Sequence, residues 1–162
     1  MDNKRKALFP GSFDPFTNGH LSIIERALPI FDKIIIAIGI NTDKKSFFPL
    51  EKRKEWLERI FENEPKIEIE TYDSLTVDYC KKMEIKYLLR GLRTAVDFEY
   101  ERQIGQTNKV LQPDVDSVFF LTLPEHTHIS STIVKEIIKY KGNIDSFVPK
   151  IIANEIYRTY DK

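Results

Sequence analysis

The chain has 162 residues, of which 41% are hydrophobic and 31% charged, and its formal net charge is zero. This length and composition predict one soluble globular domain that spans residues 1–162. Because 25 basic side chains balance 25 acidic ones, we expect neither a nucleic acid nor an anionic membrane surface as a partner.

The cysteine content and the apolar runs exclude further classes of protein. Cys80 is the only cysteine in the sequence, which excludes an intrachain disulfide and a cysteine-built zinc site. The apolar run 7–9 is too short for the core of a signal peptide, and the longest apolar run, 34–40, is too short to span a membrane. We therefore expect a cytoplasmic protein.

Strand patterns and helix patterns alternate along the chain. Apolar or strictly alternating runs predict strands over residues 6–9, 33–40, 67–71, 85–89 and 117–121. Helical spacing and turn residues predict helices over residues 19–28, 50–61, 75–83, 98–111, 131–140 and 149–160. This alternation predicts an α/β fold, a doubly wound five-stranded parallel sheet with helices on both faces. Ligands bind such sheets beyond the carboxyl ends of the strands.

The loop 10–20 follows the first predicted strand, contains Gly11 and Gly19, and ends with His20 in the first turn of a helix. Glycine lets the backbone approach a ligand closely, and a helix N-terminus favours a phosphate. The same positive end disfavours protonation of His20, so we expect a neutral hydrogen-bond donor. The alternative is an ordinary turn in which Asn18 caps the helix and His20 is a surface residue.

The segment 126–132 places consecutive hydroxyl residues at the start of another helix, which can donate hydrogen bonds to an anion. The alternative is an ordinary serine or threonine cap. His126 and His128 have the spacing of one strand face, which would suit a metal. No third ligand stands nearby in the sequence, so we expect no metal bound by protein side chains.

Two pairs of basic residues follow predicted strands. Arg90 and Arg93 come directly after the fourth strand, and guanidinium groups suit bidentate recognition of phosphate. Lys44 and Lys45 lie in the loop after the second strand. The alternative is that acids in the segment 97–101 pair with the arginines on a solvated face and that the lysines face solvent.

The loops together predict a polyphosphate site at one edge of the sheet, built from basic pairs, a histidine and two helix N-termini. No general base is apparent. A phosphate nucleophile needs none, since its second pKa is about 6. Phosphoryl transfer depends mainly on positioning and charge neutralisation.

At these residues the sequence resembles the phosphopantetheine adenylyltransferase family, over residues 7 to about 149. The matching stretches are PGSFDPFTNGH (10–20), KK (44–45), LLRGLRTAVDFEYE (88–101) and ISSTIVKE (129–136). TNGH alone indicates the wider H-x-G-H nucleotidyltransferase superfamily, whereas RGLR followed by DFEYE is much more specific. The resemblance implies a Rossmann-like nucleotidyltransferase fold. It also implies transfer of adenylyl from ATP to 4′-phosphopantetheine, the penultimate step of coenzyme A synthesis.

The resemblance also implies roles for single residues. His20 matches the histidine that stabilises the transition state, and Lys44 matches a lysine that binds the acceptor and assists charge stabilisation. Further acceptor contacts are implied at Ser12, Thr76 and Arg90. The implied ATP contacts are Ser12, Phe13, His20, Gly91, Leu92, Arg93, Glu101, His126, Thr127, His128, Ile129, Ser130, Ser131 and Thr132.

The family is typically a homohexamer that uses Mg²⁺ with ATP, so both are expected here. Position 128 is commonly aromatic in the family, and His128 departs from that pattern while still offering a flat ring. Two alternatives stay open. One is another acceptor used within the superfamily, nicotinamide mononucleotide or glycerol 3-phosphate. The other is a nucleotide-binding regulator without turnover.

Overall fold

The computed structural model of the chain describes residues 5–160. Within this range the strands are β1 (Lys6–Gly11), β2 (Lys33–Gly39), β3 (Ile67–Tyr72), β4 (Tyr87–Leu92) and β5 (Asp116–Leu121). The helices are α1 (Asn18–Ala27), α2 (Leu50–Ile60), α3 (Thr76–Lys82), α4 (Ala95–Leu111), α5 (Ser131–Lys139) and α6 (Lys150–Tyr160). None of the helices in the described range is long and apolar enough to cross a membrane.

The strands form a parallel sheet in the order β3-β2-β1-β4-β5, which confirms the predicted doubly wound α/β fold. The chain winds outward from β1 to β3 and then returns to place β4 on the other side of β1. The alternating Ile67–Tyr72 strand lies at a sheet edge. In sheets of this kind the ligand crevice lies where the winding reverses, here between β1 and β4.

Helices cover the sheet on both faces. On one face α1, α2, α5 and α6 pack against sheet residues that include Phe9 and Ile36. On the other face α3 packs Val77 and Cys80 against Leu8. Alternate residues of β1 therefore enter opposite cores, which explains why its sequence is continuously apolar rather than alternating. Burial of Cys80 raises the pKa of its thiol to about 11, which favours an inert core thiol.

The largest difference from the sequence prediction concerns β4. The sequence predicts a strand over residues 85–89 followed by a loop, whereas β4 begins at Tyr87 and includes Arg90 and Gly91. Ile85 still belongs to the turn after α3, because its N–H donates to the carbonyl of Cys80 at 2.8 Å. Pairing with β5 then carries β4 on to Leu92. Arg90 is thus held by the sheet rather than by a loop.

Two other boundaries also differ from the prediction by more than one residue. β1 continues through Gly11 instead of ending at residue 9, because its pairing with β2 continues to that position. α4 begins at Ala95 instead of residue 98, because the hydroxyl of Thr94 caps it by accepting from the Asp97 N–H. A short 3₁₀ turn over Pro124–His126 was not predicted.

Candidate active site

A cavity of about 360 Å³ lies beside the carboxyl ends of β1 and β4. It therefore lies at the winding reversal, where the fold favours a ligand. The predicted site residues that line it are Ser12, Phe13, His20, Arg90, Gly91, Arg93, Glu101, His126, Ile129, Ser130, Ser131 and Thr132. The structure thus brings the loop 10–20, the end of β4 and the segment 126–132 together, as the sequence predicts.

Other predicted site residues lie outside the cavity lining, and these are Lys44, Thr76, Leu92, Thr127 and His128. Lys44 is exposed in the loop after β2. Thr76 begins α3, where its hydroxyl lies 3.0 Å from the hydroxyl of Tyr72. The exposed ring of His128 packs edge-on against Phe147, with ring centroids 5.8 Å apart. The roles of these residues stay predictions.

A reciprocal capping box at the start of α1 positions His20. The hydroxyl of Thr17 accepts from the His20 backbone N–H, and Nδ1 of His20 accepts from the Thr17 backbone N–H at 3.0 Å. Because Nδ1 accepts a hydrogen bond, the neutral ring carries its proton on Nε2. Asn18 is not the cap, which corrects that alternative; its backbone N–H donates to the carbonyl of Phe147 at 2.8 Å.

Aromatic rings pack closely around His20. Phe16 stacks on it at a centroid distance of 5.3 Å, and Phe13 meets it edge-on at 5.2 Å. Removal of the ring from water, together with the smaller effects of the positive charges of Arg93 and Arg90, lowers the pKa of His20 from 6.5 to about 4. His20 is therefore a neutral donor at physiological pH, in agreement with the expectation from its place at a helix N-terminus.

Arg90 and Glu101 form a bidentate ion pair across the cavity wall. Nε of Arg90 donates to Oε2 of Glu101 at 2.9 Å, and Nη2 donates to Oε1 at 2.5 Å. Nη1 of Arg90 also donates to the carbonyl of Pro10 at 3.3 Å. Glu101 is 8% exposed, so the pair is fixed beside the end of β1. The pairing of an acid with Arg90 thus occurs, but in the wall of the cavity, and the solvated face of that alternative is wrong for this pair.

Arg93 connects the end of β4 to the segment 126–132. Its backbone N–H and its Nε both approach Oδ2 of Asp97, at 3.1 and 3.2 Å. Its Nη1 donates to the carbonyl of Ile129 at 3.3 Å. Arg93 is exposed apart from these contacts, so its guanidinium group remains accessible to an anion in the cavity.

The hydroxyl residues at the start of α5 divide their roles. The hydroxyl of Ser130 accepts from the Ile133 N–H at 3.2 Å and is the ordinary cap. The hydroxyl of Ser131 donates to the carbonyl of Pro15 at 2.8 Å, which ties this helix to the loop 10–20. Thr132 also lines the cavity and is exposed. The α5 N-terminus thus faces the same space as His20.

His126 ends the 3₁₀ turn and does not lie on a strand, so the strand spacing suggested for it and His128 is wrong. This turn begins at Pro124, and the N–H of His126 donates to the carbonyl of Leu123 at 2.9 Å.

Within residues 5–160, no group of three or more His, Cys, Asp or Glu is placed to hold a metal. Nδ1 of His126 is buried without a hydrogen-bond partner among the described residues.

Sequence reasoning missed several residues that line the cavity, among them Thr17, Ile23, Tyr100 and Thr122. Thr122 follows β5 directly, so the rule that sites lie after strand ends would have found it. The spacing of Thr17 and His20 is that of a capping box, which offered a local signal. Ile23 lies in the site because it packs against Gly91, and no local sequence pattern predicts that contact.

Comparison with known proteins finds relatives along most of the chain. A family model described as cytidylyltransferase-like matches residues 8–137. A phosphopantetheine adenylyltransferase from Christiangramia forsetii is 49% identical over 93% of this chain and 99% of its own length. One from Nautilia profundicola is 46% identical over 93% of this chain and 98% of its own length.

A solved structure shares the fold at much lower sequence identity. It is the crystal structure of a proposed nicotinate-nucleotide adenylyltransferase from Vibrio parahaemolyticus, which matches with a TM-score of 0.73 at 16% identity. The match covers 94% of this chain and 98% of that chain. The relatives named above match this chain almost from end to end at nearly half of its positions. The chain therefore belongs to the phosphopantetheine adenylyltransferases of the cytidylyltransferase-like family.

Proposed function

We propose that this chain transfers the adenylyl group of Mg-ATP to 4′-phosphopantetheine, which gives dephospho-coenzyme A and pyrophosphate in coenzyme A biosynthesis. The observation that carries the proposal is a neutral His20 beside Arg90 and Arg93 in one cavity at the winding reversal. Membership of the family supports the acceptor.

The reaction is an in-line displacement at phosphorus. An oxygen of the acceptor phosphate forms a bond to the α-phosphorus of ATP, and the bond from that phosphorus to the bridging oxygen of the β-phosphate breaks. Pyrophosphate leaves with the electron pair. Because the acceptor phosphate is largely dianionic at neutral pH, the protein has no proton to remove from it. The protein's task is to position the phosphates and to stabilise charge.

His20 supplies a hydrogen bond to the transferred phosphoryl group. Its Nδ1 is held by Thr17, so the Nε2–H is the group that remains for a ligand in the cavity. That N–H donates to a non-bridging oxygen of the α-phosphate, on which negative charge grows in the transition state. The low pKa keeps the ring neutral, and the capping box fixes it before the substrates arrive.

The two substrates approach from opposite sides of β1. Lys44 and Thr76 follow β2 and β3, so the acceptor lies on that side, with Arg90 and Ser12 at the centre of the site. ATP lies on the side of β4 and β5. Its proposed contacts are Ser12, Phe13, His20, Gly91, Leu92, Arg93, Glu101, His126, Thr127, His128, Ile129, Ser130, Ser131 and Thr132. Mg²⁺ enters as part of the Mg-ATP substrate and balances phosphate charge.

The assembly is proposed to be a homohexamer in the cytoplasm. Among the described residues of α4, Glu101 alone is buried, while Val96 and Val110 are 79% and 82% exposed and Phe98 and Leu111 are about half exposed. Apolar exposure on this scale supports a contact between copies. Analytical ultracentrifugation is expected to give six times the chain mass of 19.0 kDa. A monomer at micromolar concentration would contradict the assembly.

A panel of substrates tests the function directly. Pyrophosphate release is measured with Mg-ATP or Mg-CTP and with 4′-phosphopantetheine, nicotinamide mononucleotide or glycerol 3-phosphate. We expect release with ATP and 4′-phosphopantetheine together. Release only with nicotinamide mononucleotide or glycerol 3-phosphate would contradict the proposal and identify that compound as the acceptor. ATP binding without release from any acceptor would favour a regulator without turnover.

A further inference from the structure

Arg53 is a buried arginine on α2, outside the lining of the cavity that holds His20. Its guanidinium group hydrogen-bonds to separate segments of the chain. Nη1 donates to the carbonyl of Ser12 at 2.6 Å, Nε donates to the carbonyl of Phe48 at 3.0 Å, and Nη2 donates to the hydroxyl of Ser46 at 3.0 Å. Arg53 thus joins the Ser12 loop to the segment 46–48.

Asp14 reinforces the same junction from the other side. Its carboxylate is 6% exposed and accepts from the backbone N–H groups of Phe47, at 2.7 Å, and Phe48, at 2.8 Å. Burial lowers the pKa of Arg53, and the nearby negative charge of Asp14 opposes that effect. Burying Arg53 and Asp14 costs desolvation free energy, which apolar side chains at these positions would not cost. We therefore attribute to the junction the positioning of the two loops rather than a gain in stability.

The junction lies at one end of the loop that carries Lys44, a loop whose own hydrogen bonds are local, from the N–H groups of Asp43 and Lys44 to Asn41. Residues 41–46 are all exposed, so packing of their side chains does not hold that loop. The loop is attached at one end by β2, which ends at Gly39, and at the other by the hydrogen bonds to Ser46, Phe47 and Phe48. Lys44 lies two residues before the bonded hydroxyl of Ser46.

We propose that Arg53 is a positioning residue that holds the loop of Lys44 against the loop of Ser12, so that both loops act on the acceptor as one site. The proposal rests on the proposed function, in which Lys44 and Ser12 contact 4′-phosphopantetheine. Arg53 acts through these residues and touches neither substrate. Its loss therefore lowers the use of the acceptor mainly by releasing Lys44.

A double-mutant cycle tests this coupling, with Arg53→Met, Lys44→Ala and the double variant compared by kcat/KM for 4′-phosphopantetheine. We expect Lys44→Ala to lower kcat/KM about 10- to 100-fold in the parent and by less than about threefold beside Arg53→Met. Arg53→Lys keeps a donor and is expected to retain part of the coupling. Lys54→Met is the matched control, since Lys54 lies on the same helix and pairs with Glu58. Independent, multiplicative effects of the two substitutions would overturn the proposal.

Hydrogen exchange gives a readout that needs no turnover. The backbone amides of Phe47 and Phe48 are expected to exchange faster in Arg53→Met and Arg53→Lys than in the parent, and to be unchanged in Lys54→Met. Unchanged exchange in both Arg53 variants would overturn the junction, even if Arg53→Met itself proved too unstable for kinetics. The two proposals can fail separately. Faster exchange in the Arg53 variants, together with no pyrophosphate release by the parent with 4′-phosphopantetheine, would contradict the proposed function and leave the junction intact.

Discussion

The backbone N–H of Thr17 donates to Nδ1 of His20 across 3.0 Å, and this one contact determines which ring nitrogen keeps its proton. The capping box that begins α1 therefore also sets the chemistry of the site, because it leaves Nε2–H as a donor. The aromatic packing around the ring keeps that donor neutral.

Acidification is expected to destabilise the fold through His20. The pKa of His20 is about 4 in the folded protein against an ordinary value of 6.5, so the unfolded chain binds a proton more readily between these values. The free energy of unfolding therefore falls as the pH drops from 6.5 toward 4. Denaturant titrations at several pH values measure this for the parent and for His20→Asn, which does not titrate there. Equal pH dependence in the two proteins would contradict the lowered pKa.

Replacing Glu101 by Gln is expected to reduce stability by about 1–3 kcal/mol, because the change removes the charged partner of a partly buried Arg90. Asp97→Asn is the matched control on the same helix. It is expected to cost less than about 1 kcal/mol, since its partner Arg93 is exposed. Chemical denaturation of both variants checks the order. A larger loss of stability in Asp97→Asn than in Glu101→Gln would contradict the claim that burial makes the Arg90–Glu101 pair the more important one.

Gly91→Ala is expected to disturb the site by steric contact. A Cβ at position 91 would lie 2.2 Å from Cδ1 of Ile23, one turn after His20 on α1. We expect a stability loss of about 1–3 kcal/mol from overpacking, together with reduced turnover. Adding Ile23→Ala removes the clashing atoms and is expected to restore part of the lost stability and part of the lost turnover. Failure of that second substitution to restore either quantity would contradict the assigned cause.

The division of the two substrates predicts that two basic residues affect the KM values of different substrates. Lys44→Ala is expected to raise the KM for 4′-phosphopantetheine, and Arg93→Ala to raise the KM for ATP. Each effect is about 10- to 100-fold, the size of a lost hydrogen bond to a charged group. Steady-state kinetics with each substrate varied in turn separates them. A Lys44→Ala variant that loses ATP affinity as strongly as acceptor affinity would contradict the division.

The sequence predicts most of the fold because the signals for it are local. The apolar run of β2 and the helical spacing after His20 identify elements within one residue of their observed ends. Polar loops after strands then locate the site, since parallel strands end at one edge. The end of β4 was missed because Arg90 and Gly91 resemble loop residues, and only pairing with β5 makes them part of the strand.

The contacts that tune the site depend on the tertiary structure and could not be predicted. Arg53 stands in a charged helix and its sequence context is that of a surface residue, yet the segment 46–48 passes over it and buries it. The pairing of Arg90 with Glu101 joins a strand to a helix eleven residues later, and competing acids lie nearby in the sequence. The family resemblance names Arg90 and Glu101 as site positions without supplying their contact, and it does not name Arg53.

The decisive experiment for the role of His20 measures pyrophosphate release by the parent and by His20→Ala, with Mg-ATP and 4′-phosphopantetheine supplied together. We expect release that requires both substrates and a kcat that falls about 100- to 1,000-fold in His20→Ala, the effect of losing one preorganised donor to the transition state. Circular dichroism and ATP binding are expected to stay close to those of the parent. Turnover near the parent's in a folded His20→Ala variant would contradict the role of His20.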